Sequence, residues 1–156
     1  MTNVNAFSLV CGLILFHNLK NRIMENKKVL LVGIDPFLID FTSPEFAAFP
    51  GLTPQKVEAG IKGSIAQLNQ NGYEADLCWI DFGLTAANVL EKKLKQTNFD
   101  MVLIGAGIRV PEKNFLLFED LINVIHHHAP QAGICFNTNP GDTIMAIDRR
   151  SAKVEF

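Results

Sequence analysis

The sequence predicts an α/β domain, a three-layer sandwich with helices on both faces of a mainly parallel sheet of four to five strands, and three observations carry that prediction. Short apolar runs alternate four times with stretches of helical periodicity, the order of repeated βαβ units. Two of those runs, Val29 to Ile34 and Met101 to Ile104, are apolar throughout, as strands are when helices leave them no wet face. The punctuation agrees: Pro54 opens a helical pattern and Gly72 stands just past its end.

The chain of 156 residues fits one domain, with a core that hides on the order of two thirds of the surface its unfolded form exposes. It divides into an N-terminal extension, 1–23, and a single α/β domain, 24–156. Ala6 to Phe16 is apolar except for Ser8 and Gly12, about half the length of about 20 residues that a spanning helix needs. Lys20 and Arg22 follow that run instead of preceding it, against the order of a secretory signal. Three readings of it stay open: an added helix packing on the domain or a second subunit, an interfacial anchor, or sequence upstream of a functional start at Met24.

Val29 to Ile34 is the first strand, ended by Asp35-Pro36. A connection of about 18 residues follows, with Phe37, Phe41, Phe46 and Phe49 between prolines, long for a structureless loop and too aromatic to be solvated. It folds over the strand ends, forms a short helix near Pro44 to Phe49, or docks on a partner. Thr53 caps the first helix, where Val57, Ile61, Ile65 and Leu68 share a face, and Gly72 ends it. Gly60 and Gly63 lie inside it, each costing about 1 kcal/mol relative to alanine, with close packing on the sheet as the expected compensation.

Ala75 to Ile80 suits a strand toward one edge, closed by Asp81-Phe82-Gly83. The helix from Thr85 to Gln96 turns Ala86, Val89, Leu90 and Leu94 inward and its lysines to solvent. Met101 to Ile104 is the central strand and runs into Gly105-Ala106-Gly107 and Arg109. Asn114 caps a third helix with Phe115, Phe118, Leu121, Ile122 and Ile125 at helical spacing, ending in three histidines. Successive helical residues are about 100° apart, so His126 to His128 cannot converge on one metal ion, and no metal site is expected. Ala132 to Phe136 is the fourth strand, Asn137 to Gly141 a turn, and Asp142 the cap of a last helix to about Arg150 that packs Ile144, Ile147 and Met145 on the sheet.

Right-handed crossovers leave few topologies, and a flavodoxin-like order, 2-1-3-4, places the first and last helices on one face and the middle two on the other. Ligands of such sheets collect outside the carboxyl ends of the strands, where the order reverses. Asp35, Gly105, Gly107, Arg109, Asn137 and Thr138 are therefore the candidate ligand-binding residues. The glycines let the backbone approach a ligand, Arg109 offers a planar fork to a carboxylate or phosphate, and Asn137 and Thr138 fix orientation. Arg109 has the alternative of pairing with Asp35 or Glu112, and Asn137-Thr138 of capping the last turn.

In size and strand pattern, across about Lys27 to Arg150, the chain resembles a response-regulator receiver domain. The resemblance implies that fold, with Asp35 and Thr138 near positions where receivers use acidic and hydroxyl residues. It stops at the chemistry, because Gly105-Ala106-Gly107 stands where receivers carry the phospho-acceptor aspartate, and no fifth strand with its following lysine is readable.

Other classes are set aside on composition. A net charge of −2 offers no basic face for nucleic acid. Three cysteines without C-x-x-C spacing form neither a disulfide framework nor a zinc site, and fit buried thiols in a reducing cytoplasm. Gly105-Ala106-Gly107 lacks the third glycine of a dinucleotide fingerprint, so no cofactor is expected. No nucleophile stands beside a base. The expected function is a non-catalytic module binding a small anionic ligand or a protein partner, with a homodimer through the Phe-rich loop or the N-terminal segment as one form of the latter. The alternative is a small cytoplasmic enzyme acting on a carboxylate or phosphate metabolite, with Arg109 gripping the anion and Asp35 as acid or base.

Overall fold

A computed structural model describes residues 26–152 of this protein. The apolar run 6–16, the start at Met24 and Cys11 lie outside the described residues. The elements in chain order are β1 (Lys28–Ile34), α1 (Pro54–Gln70), β2 (Glu74–Ile80), α2 (Ala86–Gln96), β3 (Met101–Ile104), α3 (Ala106–Arg109), α4 (Phe115–His128), β4 (Gly133–Phe136) and α5 (Thr143–Ser151). All strands run parallel in the order β2-β1-β3-β4, the flavodoxin-like arrangement.

The side-chain alternation of the strands sorts the core into two layers. Leu30, Val32 and Ile104 face α2 and α4, where Leu90, Leu121 and Ile125 meet them. Leu31, Met101 and Leu103 face α1 and α5, against Leu68 and Ile147. Every residue of β3 is buried, as an interior strand covered on both faces requires. Burying one such leucine contributes about 1.5–3 kcal/mol.

The register sets where a site can form. Ile104 pairs with Val32 on one side and Phe136 on the other, so the residues that follow β1, β3 and β4 emerge along one edge. α1 starts as its sequence dictates: Thr53 Oγ1 accepts the Lys56 N–H at 3.3 Å and Pro54 takes the first turn. It stops at Gly72, whose φ of 84° is left-handed and favours glycine.

Three expected inward residues are exposed instead: Val89 at 39%, Phe115 at 63% and Met145 at 66%. In α2 the buried set is Ala86, Leu90 and Leu94, spaced by four, and Val89 lies about 100° around the helix from Leu90. In α4 the same spacing selects Leu117, Leu121 and Ile125, and in α5 Ala146 and Ile147 fill the layer. The helical glycines are not close-packed on the sheet either. A Cβ at Gly63 would meet nothing within 4 Å, and one at Gly60 would sit 3.8 Å from the Pro140 Cβ.

Two caps are also rearranged. Asn114 is buried and donates from Nδ2 to the Gly107 carbonyl at 3.1 Å, which ties α3 to the start of α4. Ahead of α5, Asn139 Oδ1 accepts the Gly141 N–H while Asp142 accepts the Thr138 and Asn139 N–H groups, a reciprocal capping box over Pro140–Asp142.

Candidate functional site

Between the first turns of α1 and the carboxyl ends of β1 and β3 lies a cleft of about 660 Å³. Its walls are apolar: half-buried Val57 and Ile61 from α1, Leu31 and Leu103 from the sheet, Phe41 and Phe46 from the connection after β1. That connection folds over the strand ends, with single helical turns at Pro36–Leu38 and Pro44–Phe46. Phe41 and Phe46 pack at 4.9 Å between ring centroids, so part of the aromatic run buries itself as a cleft wall. Phe49, Phe82 and Val110 line the same space and are 46–63% exposed, which marks an open mouth.

The floor explains two glycines. A Cβ on Gly33 would lie 3.0 Å from Cζ3 of Trp79, and one on Gly105 would lie 3.3 Å from the Val32 carbonyl oxygen. A side chain at either position would press its neighbour by a few tenths of an ångström.

The polar groups inside the cleft are largely satisfied by one another. Asn137, 6% exposed, accepts the Ala106 N–H on Oδ1 at 3.0 Å and donates from Nδ2 to Thr143 Oγ1 at 2.9 Å. Ser64 Oγ lies 2.9 Å from the Pro140 carbonyl and 3.1 Å from that of Gly60. At the rim stand Lys56, which donates to the Gly51 carbonyl at 2.6 Å, and Lys113, whose ammonium is 2.7 Å from Glu45 Oε1. The hydrogen bond from Lys113 holds the Glu45 carboxyl below its ordinary pKa. Both side chains of that pair are substantially exposed, so the pair contributes little to stability and can exchange partners.

Of the residues the sequence singled out, Gly105, Gly107, Asn137 and Thr138 line the cleft, while Asp35 and Arg109 do not. Asp35 Oδ1 accepts the Phe37 N–H at 3.0 Å and caps the turn after β1. Arg109 donates from Nη2 to the Asn137 carbonyl at 3.2 Å, and its guanidinium carbon lies 5.8 Å from the centre of the Phe136 ring. Its pairing with Asp35 or Glu112 is not among the ion pairs of the described residues. Gly105 is the N-cap of α3 and Gly107 lies within it, a single helical turn where the sequence suggests only a bend. Lys56, Lys113, Glu45 and Ser64 were not legible as site residues. Glu45 and Lys113 are 68 positions apart, and nothing local to either announces the other.

The remaining titratable groups lie outside the cleft. Desolvation pushes the Cys78 and Cys135 thiols up to about 11, so neither is a nucleophile at neutral pH. For Asp81, burial acts to raise the pKa, but hydrogen bonds from Gly83, Thr85 and Ala86 outweigh it and hold the carboxyl below its ordinary range. Asp142 behaves alike: burial raises it, and the Thr138 hydroxyl with the Asn139 and Thr138 N–H groups more than reverses that. His128 Nε2 lies 3.6 Å from Glu91, and among the described residues no three His, Cys, Asp or Glu side chains stand close enough to share a metal ion. Nor, among them, is any helix long and apolar enough to cross a membrane. No protein-family model and no curated protein matches this chain.

Proposed function

We propose that this chain is a non-catalytic α/β binding module, receiver-like in shape, that takes a small anionic molecule into the cleft at the carboxyl edge of its sheet. The observation that carries the reading is the cleft: its 660 Å³ is the size of a small-molecule site, and its apolar walls surround a few oriented polar groups. It lies where open α/β sheets collect ligands. The charged lining residues are Lys56, Lys113 and Glu45, an excess of one positive charge that favours an anion.

Catalysis is disfavoured by what those groups already do. Glu45, the one lining carboxylate, is held below its ordinary pKa by Lys113, which suits it poorly to acid or base work near neutral pH. Asp35 and Arg109, the residues that an enzyme acting on a carboxylate or phosphate would use, do not line the cleft; Asp35 accepts the Phe37 N–H and Arg109 donates to the Asn137 carbonyl.

Titration with 8-anilinonaphthalene-1-sulfonate, an aromatic monoanion, tests the reading. The expected result is saturable fluorescence enhancement with one site per chain, abolished in Val57→Trp and Ile61→Trp, which fill the cleft, with melting temperature preserved. Absence of saturable binding, or equal binding by the filled variants, overturns it.

The exposure of Phe37 at 56%, Leu38 at 53% and Phe49 at 62% favours a second reading, a partner docked on the Phe-rich loop, such as another copy of this chain. Sedimentation velocity decides it: concentration-dependent dimers that dissociate in Phe37→Ser/Phe49→Ser support it, and a monomer at all concentrations refutes it.

A further inference from the structure

We propose that the molecule taken by the cleft is an amphiphilic monocarboxylate, with its apolar tail between α1 and the sheet and its carboxylate on the Lys113 ammonium in place of Glu45. This rests on the binding reading above and adds the ligand's chemistry and the residue that selects it.

The tail follows from the walls. Val57 and Ile61 line the cleft with buried Leu31 and Leu103 behind it, and a ligand made only of polar atoms would be desolvated there without partners. The exposed rings of Phe49 and Phe82 at the mouth would also lose contact with water against such a tail.

The head follows from counting donors. The Ser64 hydroxyl has one proton and carbonyl oxygens within reach, Thr138 Oγ1 donates to Asp142, and Asn137 Nδ2, a neutral and buried amide, gives one of its two protons to Thr143. A lysine ammonium has three N–H donors, and Lys113 shows one of them engaged, so it has donors left for a ligand. The group it already holds is a carboxylate. Glu45 Oε1 therefore marks the place and the chemistry of the ligand's head group, and it is delivered by an exposed side chain on a loop, which can swing away. Lys56 is the weaker candidate, because its partner is the neutral Gly51 carbonyl and it carries no carboxylate to be exchanged. A single charge suits the site better than two. The lining charges of Lys56, Lys113 and Glu45 sum to one positive, which one carboxylate neutralises.

Glu45 then acts as a competitor for the ligand's place, which predicts opposite signs for its removal and for that of Lys113. Isothermal titration calorimetry on the full chain with three probes tests this: decanoate, decyltrimethylammonium with a tail of similar length and the opposite charge, and acetate with the head alone. Decanoate is expected to bind about tenfold or more tighter than the cation, the difference one charge-assisted hydrogen bond makes, and acetate to give no saturable heat. Lys113→Met should weaken decanoate about tenfold, Glu45→Gln should tighten it, and Lys56→Met should leave it nearly unchanged. Equal binding of decanoate and the cation overturns the carboxylate assignment. So does a decanoate affinity unmoved by Lys113→Met, or weakened by Glu45→Gln. If both tailed probes bind alike and both are lost in Ile61→Trp, the cleft still binds small molecules and only the head-group assignment falls. If neither these probes nor the aromatic sulfonate binds, both proposals fall together.

Discussion

Removing the Asn137 side chain is expected to be among the most damaging polar substitutions in the protein. Asn137→Ala strips the Ala106 N–H of an acceptor at 3.0 Å and Thr143 Oγ1 of a donor at 2.9 Å, and so unties β4 from the starts of α3 and α5. Thr143 is 2% exposed, so water replaces little of what it loses. A buried polar group left unsatisfied costs about 1–3 kcal/mol. Ala106 is only half-buried and belongs at the low end, which gives about 2–4 kcal/mol for the pair. The Arg109 bond goes to the Asn137 backbone carbonyl and survives the substitution. Urea unfolding at pH 7 reads the effect: with a slope of about 2 kcal/mol/M, the midpoint should fall by about 1–2 M. Thr143→Val removes one of the two bonds and should cost less. The double-mutant cycle between the two positions should return a coupling of about 1 kcal/mol. A loss under about 0.5 kcal/mol for Asn137→Ala would refute the reasoning, because it would mean that the edge is held by packing alone.

Other consequences follow from single observations. Gly63→Ala, in mid-helix with nothing within 4 Å of the new Cβ, should stabilise the fold by about 0.5–1 kcal/mol in the same assay, and a loss would show that α1 needs glycine there. The carboxyls of Asp81 and Asp142 lie below their ordinary values in the folded state. A depressed folded pKa contributes stability that is present above the unfolded value, about 4, and is lost as the pH falls toward the folded value. Asp142→Asn should therefore lower stability at pH 7 and flatten its decline between neutral and acid pH, and an unchanged pH profile would count against the capping box. With thiols near 11, Cys78 and Cys135 should resist a disulfide reagent at pH 8 in a Cys11→Ser background until urea unfolds the chain, whereas rapid native labelling would contradict their burial.

The sequence was most informative where burial is double-sided. An uninterrupted run such as Met101 to Ile104 has few uses other than an interior parallel strand, and four alternations of strand and helix leave little topological freedom. Helix faces were less sharply defined, since neighbouring apolar residues compete to point inward. Val89 lost to Leu90, Phe115 to Leu117, and Met145 to Ala146 and Ile147 because only tertiary packing fixes the rotation of a helix. The edge that carries the cleft was readable from chain order. The side chains that furnish it were not. Residue type nominated Arg109 and Asp35, but Asp35 caps the local turn at Phe37 and Arg109 reaches the Asn137 carbonyl 28 positions away, and no periodicity reports such bonds. Lys113 and Glu45 meet only after the chain has folded, although the four phenylalanines near Glu45 did announce a loop that had to bury something.

The most direct test of the central claim is a crystal structure of the full chain grown with decanoate. The expected result is a tail lying between α1 and the ends of β1 and β3, with the carboxylate at about 2.7–3.2 Å from Lys113 Nζ and Glu45 displaced from it. Decanoate bound elsewhere, or seated in the cleft with its carboxylate away from Lys113 and the Glu45 pair intact, would contradict it.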